Sequence, residues 1–406
     1  MSLIAVEEAL HRVLASAAPV ETEEVPVYAC AGRTLAADVL ALRTQPPFAA
    51  SAMDGYAVRS ADVAAPPVTL RVIGASIAGR GFRDVVGVGE AVRIFTGAPI
   101  PAGADAIVIQ ENAEAAGDAI TVREPAVPGQ FARPSGLDFG MEDRLLAAGQ
   151  RLDARRLALA AAGGHARLSV RRRPRVAILA TGDELVRPGE EVGPDQIFAS
   201  NPVALATLVE QAGGEAIDLG IARDTLPDLE RGIHTARTGR ADLLLTLGGA
   251  SVGEHDLVQS ALARQGMELG FWRVALRPGK PLMHGRLGSM LLLGLPGNPV
   301  SAIVCGLLFA VPLVRALLGD PRAGADRTES ATLGADLPAN DGRQDYVRAR
   351  LDFTPDKPPR ATAFPKQDSS MLSLLARADA LIVRPPHAPP AEVGDPCRIL
   401  RLDTLL

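Results

Sequence analysis

Two adjacent carboxylates, Asp183 and Glu184, follow the short apolar run Val176 to Ala180 through Thr181-Gly182. If the run is a strand, both acids arrive at its C-terminal end. Neighbouring carboxylates repel each other, so the pair is favoured where a cation is bound or a proton is shared. A second apolar run, Leu243 to Leu247, ends in Gly248-Gly249-Ala250-Ser251-Val252-Gly253-Glu254-His255-Asp256. Glycines directly after a strand let backbone N–H groups approach an anion, and a following helix adds its positive N-terminal end. Ser251 can donate to an oxyanion, and Asp256 falls where that helix would begin. His255, between two acids, reads as a solvated loop residue. Further on, Arg273, Arg277 and Lys280 surround the Pro278-Gly279 turn. Arginine presents a planar fork to oxyanions and lysine a mobile point charge. Leu295-Pro296-Gly297-Asn298-Pro299-Val300-Ser301 is a stiff turn before a helix, of the kind that preorganises a pocket.

Three N-terminal segments are weaker on their residues alone: Ser51 to Tyr56 with Asp54-Gly55, Thr96-Gly97-Ala98-Pro99, and Arg133-Pro134-Ser135-Gly136-Leu137-Asp138. Each reads as a turn in a β-rich region. Together, the carboxylates and the cationic, glycine-lined sheet edge suit a phosphorylated anion held with a divalent metal such as magnesium. The chain has no Walker A motif, no GxGxxG fingerprint and no nucleophile elbow.

These groups need elements to carry them. From Arg175 onward, apolar runs (176–180, 216–220, 243–247) alternate with helical patterns (202–212, 226–238), which predicts a parallel sheet covered on both faces. In such sheets ligands bind at the C-terminal ends of the strands, where the glycine- and acid-rich motifs fall. Residues 2–17 carry an amphipathic helical pattern and 153–162 another. Thr69–Ile73, Ala91–Phe95, Ala106–Gln110 and Ile120–Val122 are short strand-like runs broken by turn residues. Pro46-Pro47 ends any regular element, leaving an exposed loop to carry Ser51–Tyr56. After a polar linker, the runs 345–351, 380–383 and 396–402 suggest a small closing β-barrel.

With 406 residues the chain exceeds a single core, and two to four domains are expected. Aromatics at 3% exclude the stacking platforms of single-strand nucleic-acid binders, and a net charge of −5 argues against any dedicated nucleic-acid partner. The densest basic run, Arg171-Arg172-Arg173 with Arg175, reads as a solvated strand entrance. Cys30, Cys305 and Cys397 are far apart, which excludes a cysteine-built zinc or iron–sulfur site and fits a reducing cytoplasm. No signal peptide is expected. The apolar stretch 300–318 reads as a buried helix rather than a membrane span.

In this order and spacing, the segments Ser51–Ala57, Thr96–Pro99, Thr181–Leu185, Gly248–Asp256, Pro278–Pro281 and Leu295–Pro299 resemble the MoeA family of molybdopterin molybdenumtransferases and the E domain of gephyrin. The resemblance implies an α/β and β multidomain fold. A mixed α/β region would comprise 1–45 and 140–170, and a β-rich insertion domain 46–139. A three-layer α/β molybdopterin-binding domain with a parallel-rich sheet would cover 171–325, and a C-terminal β-barrel 326–406. It implies a cytoplasmic homodimer with the active site between subunits. The reaction implied is insertion of molybdate into adenylylated molybdopterin with release of AMP, dependent on Mg2+ or a similar divalent cation. The sulfur ligands would come from the pterin.

Carried over by resemblance, Asp54, Thr96, Asp138, Glu184, Asp224 and Asp256 are catalytic candidates, with Glu184 and Asp256 as metal ligands. Arg133, Arg273, Arg277 and Lys280 would contact molybdate or phosphate oxygens. Gly248, Gly249, Ser251, Gly253, Pro296 and Pro299 would shape the pocket, and Arg348 and Ser369 (or Ser370) would contribute from the barrel. Leu137 stands where the family often has glutamate, and arginine stands at 273 and 277 where lysine is commoner. Two rivals remain at this stage. A molybdopterin adenylyltransferase would consume ATP and would not need the flanking regions, whereas a non-catalytic scaffold would bind partners through the C-terminal part. Sequence does not separate molybdate from tungstate.

Overall fold

In the second half of the chain, strands that must be covered on both faces are apolar nearly throughout. Arg175–Thr181 is buried beyond its first residue, and Leu243–Leu247 and Met290–Leu295 are buried at every position. The structure is a computed structural model that describes residues 3–248 and 257–403. Its central sheet runs in the order Glu215–Ala222, Arg175–Thr181, Leu243–Leu247, Met290–Leu295, Met283–Leu287, Glu268–Trp272. The first four strands are parallel and the last two antiparallel. Alternation along Arg175–Thr181 builds two cores. Val176, Ile178 and Ala180 pack toward helices Asn201–Ala212 and Pro299–Leu317, and Ala177 and Leu179 toward Leu226–Thr238 and Leu257–Arg264. This is the expected three-layer α/β unit, its parallel sheet extended by an antiparallel hairpin.

Helix Pro299–Leu317 is long and apolar enough to cross a membrane, but 72% of its most apolar window is buried in this core. It continues through Pro312, which lacks an N–H, because residues Gly306–Ala310 widen into a π turn just before it. The N-terminal helix Val6–Ala15 buries Val6, Ala9 and Val13 in the same core. It therefore packs on the α/β unit, although its place in the sequence grouped it with the mixed region.

That mixed region pairs Thr22–Pro26 with Arg167–Arg171 and Val39–Leu40 with Arg144–Leu146, beside helix Ala154–Ala162. The Asp153 side chain caps this helix by accepting from the Arg156 N–H at 2.9 Å. The β-rich insertion is a six-stranded sheet in the order Ala106–Ile109, Gly55–Val58, Glu90–Ile94, Val68–Ser76, Ala119–Val122, Ala113–Ala116. At the C-terminus, Gln344–Asp352, Arg360–Ala363, Glu329–Leu333, Pro396–Arg401 and Ala380–Arg384 close into a five-stranded barrel, as the last strand pairs back to the first. Strand Leu276–Arg277 leaves the α/β unit to pair with Gln344-Asp345 of this barrel.

Two expectations are corrected. Arg172 is not merely solvated: its guanidinium grips Asp242 through bonds of 2.7 and 2.8 Å, and Asp242 also accepts from the Arg175 N–H at 2.7 Å. The basic run thus pins the start of the first strand to the residue before the Leu243–Leu247 strand. Nor is Ser51–Tyr56 an exposed loop throughout. Ala50-Ser51 pairs with Ala132-Arg133, and all of Gly55–Val58 is buried between two strands, leaving Met53 and Asp54 exposed at the turn.

Gly55 makes that turn possible. A Cβ there would lie 2.0 Å from the Val108 carbonyl oxygen, a backbone atom that cannot step aside. Gly55→Ala is therefore expected to destabilise the insertion by about 2 kcal/mol or more, read as a lower denaturant midpoint of its unfolding transition. An unchanged midpoint would contradict this packing.

Candidate active site

A cleft of about 840 Å³ opens at the C-terminal ends of Arg175–Thr181 and Leu243–Leu247. Of the residues singled out from sequence, Glu184, Asp224, Gly248, Pro296 and Pro299 line it together. Its floor depends on close backbone approach. Gly248 has φ +98°, and a Cβ there would meet the Thr181 carbonyl oxygen at 2.7 Å. Its N–H donates to Leu295 O at 3.2 Å, which ties the glycine to the Pro296–Asn298 turn. That turn is held from two sides. The Asn201 amide donates to Gly297 O at 2.7 Å, and the Asn298 amide donates to Ser369 Oγ at 3.0 Å. Ser369 O in turn accepts from the Val300 N–H at 3.1 Å. Ser369 thus braces the turn, and its neighbour Ser370 faces the cleft.

Three carboxylates, Asp183, Glu184 and Asp224, gather on the acidic side. The Asp224 N–H donates to Asp183 Oδ1 at 3.3 Å. Burial, followed by the charges of Asp183 and Glu184, pushes the Asp224 carboxyl above its ordinary value. Carboxylate oxygen is the donor type that Mg2+ takes, and Glu184 and Asp224 both line the cleft. Among the described residues, no three His, Cys, Asp or Glu side chains form a metal-binding group by themselves. Asp256, the other expected metal ligand, lies outside the described residues, as do Gly249, Ser251, Gly253 and His255.

The cations are placed differently from one another. Lys280 is exposed, and the adjacent Pro281 lines the cleft. Arg273 adopts φ +86°, a rare conformation for a non-glycine residue, and its guanidinium lies 5.3 Å from the Trp272 ring centroid. Arg277 grips Asp345 across the domain boundary, with Nε to Oδ1 at 2.7 Å, and its Nη1 lies 3.6 Å from Asp341. Much of its charge is spent joining the α/β unit to the barrel. Arg348 is corrected from a direct contact to an internal support. It is 1% exposed, and its guanidinium donates to Gln367 Oε1 and Met371 O, both at 3.2 Å. It braces the segment that carries Ser369 and Ser370.

The remaining candidates form a second group. Asp54 Oδ1 accepts from the Thr96 N–H at 2.7 Å and from Thr96 Oγ1 at 2.8 Å. Arg133, Leu137 and Asp138 line a separate cleft with Gly97, the residue after Thr96. The two clefts share no lining residue. Sequence reasoning missed Asn201, whose helix-start position next to Pro202 was its only signal, and Arg43, which joins Arg133 in the second cleft. It also missed Arg93, described below.

A three-layer α/β unit with an acid-lined cleft at its strand ends, flanked by a β-rich insertion and a closed barrel, is the architecture that the resemblance implies for a molybdopterin-binding class of protein. In agreement, residues 177–316 match the family described as a probable molybdopterin binding domain. Residues 4–164 match the MoeA N-terminal region (domains I and II), and 330–402 the MoeA C-terminal region (domain IV). The molybdopterin molybdenumtransferase of Haemophilus influenzae is 36% identical over 90% of this chain and 90% of its own length. That of Bacillus subtilis is 33% identical over 98% of this chain and 94% of its own. A crystal structure of the molybdopterin biosynthesis MoeA protein from Pyrococcus horikoshii superposes with a TM-score of 0.84 at 31% identity, covering 98% of this chain and 99% of that one. The chain belongs to the MoeA family.

The two Thr96 bonds hold the Asp54 carboxyl below its ordinary value. The turn is therefore stabilised above the ordinary aspartate range, and that contribution disappears as pH falls through the depressed value. Thr96→Val, which keeps the backbone bond and removes the hydroxyl, is expected to raise the Asp54 pKa in a carboxyl-carbon NMR titration. An unshifted titration would show that the hydroxyl bond does not form in solution.

Proposed function

We propose that this protein inserts molybdenum into molybdopterin presented as its adenylate, taking molybdate as the second substrate and releasing AMP. The observation that carries the reading is the cleft in which Glu184 and Asp224 face Gly248 across the ends of parallel strands. A cleft of about 840 Å³ has room for a pterin with a phosphate tail. Gly248 and the Pro296–Asn298 turn bring backbone close to that tail, and Asn201 and Ser369 keep the turn from yielding. Lys280 offers charge to phosphate or molybdate oxygens. The dithiolene sulfurs belong to the pterin, and the cysteines of the chain stand apart from this role: Cys305 is buried with its thiol pushed well above its ordinary value, and none lines the cleft.

Glu184 with Asp256 would hold the divalent cation, which when bound neutralises phosphate charge. In this reading Asp224, with its raised affinity for a proton, is suited to exchange one with water or a leaving oxygen. The separation of the Asp54 group from the Glu184 group supports a homodimer in which the α/β unit of one copy faces the Asp54 turn of the other. No nucleic acid or membrane partner enters, and a cytoplasmic location fits the substrates.

The test is reconstitution with purified protein, adenylylated molybdopterin, molybdate and Mg2+, following AMP release and molybdenum in the pterin. Cation-dependent transfer of both is expected. Pterin binding without transfer would leave a binding protein instead, with Leu137 as the first residue to replace by glutamate. Glu184→Gln should lower turnover about 10²–10⁴-fold. Asp54→Ala should do likewise without unfolding the chain. Mixing these two inactive variants should restore part of the activity if the site is shared between copies, whereas a mixture as inactive as its components would place both groups in one subunit's reaction.

A further inference from the structure

The Asp54 turn carries no helix and little packing of its own, yet its carboxylate must be held in one place to act. The structure assigns that task to Arg93: it is a positioning residue that clamps the Asp54–Thr96 turn from below without itself facing the reacting atoms. This inference rests on the reading of Asp54 as a functional acid.

Three observations converge. First, Arg93 lies directly opposite Tyr56 in the antiparallel register of Gly55–Val58 with Glu90–Ile94, so it sits under the point where both strands deliver the turn. Second, its guanidinium lies over two rings, 4.9 Å from the Tyr56 centroid and 5.0 Å from that of Phe95. A planar cation in contact with two rings loses rotational freedom that a lysine would retain. Third, its donors reach the chain as it leaves Asp54. Nη1 donates to Gly55 O at 3.4 Å, and Nη2 donates to Gln110 Oε1 at 2.7 Å. The Gln110 N–H then donates to Asp54 O at 3.1 Å. The clamp therefore grips the backbone that leaves the carboxylate, directly at Gly55 and through Gln110 at Asp54, and Phe95, one of the two rings it touches, immediately precedes Thr96. The Arg93 charge also adds, after the two Thr96 bonds, to the forces that keep Asp54 ionised.

Losing the clamp should loosen the Asp54–Thr96 bonds while leaving the rest of the insertion intact. A comparison is available in the same region, where Asp105 Oδ1 accepts from the Ser60 N–H at 2.6 Å through a turn that Arg93 does not touch. Amide hydrogen exchange resolved to single residues reads both. In Arg93→Ala, the Thr96 amide is expected to exchange at least about tenfold faster than in the wild type, with the Ser60 amide unchanged. Turnover should fall about 10–100-fold at unchanged KM for the pterin, since the acid is misplaced and the binding cleft is not. Arg93→Lys should recover part of the loss, and Arg93→Ala in an Asp54→Asn background should cost nothing further. A Thr96 amide that stays protected in Arg93→Ala would overturn the inference. So would equal loss of protection at Ser60, which would make Arg93 a general stabiliser. If the wild type fails to turn over, the proposed function fails, and the exchange comparison still decides the role of Arg93.

Discussion

The arrangement rests on close backbone contact at the ends of parallel strands. Gly248 can follow Leu243–Leu247 only because nothing projects from its Cα toward the Thr181 carbonyl. This contact brings the Thr181–Glu184 segment and the Pro296–Asn298 turn to the same cleft wall. Parallel strands buried on both faces give the wall a rigid base, and their C-terminal ends present groups that the sheet itself leaves unused. A side chain at position 248 would collide with the Thr181 backbone, so the two segments could not approach this closely.

Around that contact the chain devotes its charged side chains to positioning. Arg172 and Asp242 fix where two of the strands begin, Arg277 and Asp345 tie the α/β unit to the barrel, and Arg348 supports the segment behind Ser369. Partly buried, charge-assisted bonds of this type carry more energy and direction than exposed pairs. Among the described residues, the charged side chains that line the cleft, Glu184 and Asp224, are acidic, and burial, followed by the neighbouring charges of Asp183 and Glu184, raises the Asp224 value.

The α/β unit was legible in the sequence because its strands are apolar nearly throughout and its motifs fall where such sheets bind ligands. The strand-end pattern alone pointed to Thr181–Glu184 and Gly248, whereas Pro296 and Pro299 joined them only through the family resemblance. The barrel was legible only as strand-like runs between turns, since closure depends on the pairing of Gln344–Asp352 with Ala380–Arg384, which no local pattern encodes. The Ser51–Tyr56 segment was misjudged because its polar and small residues look like loop, while tertiary pairing buries Ser51 and Gly55–Val58. Arg348 was likewise mistaken for a contact residue: nothing in a single sequence distinguishes an arginine that faces a ligand from one enclosed in a barrel. Arg93 was missed because Tyr56 and Gln110 reach it only through strand pairing, and Phe95, two residues on, carries no signal by itself.

The most direct test of the central claim is a crystal structure of the protein bound to adenylylated molybdopterin. The expected result is a phosphate tail within hydrogen-bonding distance of Gly248 and the Pro296–Asn298 turn, with its charge facing the Glu184 and Asp224 side. A ligand seated on the barrel, or at the Arg133 cleft with the strand-end cleft empty, would contradict the account.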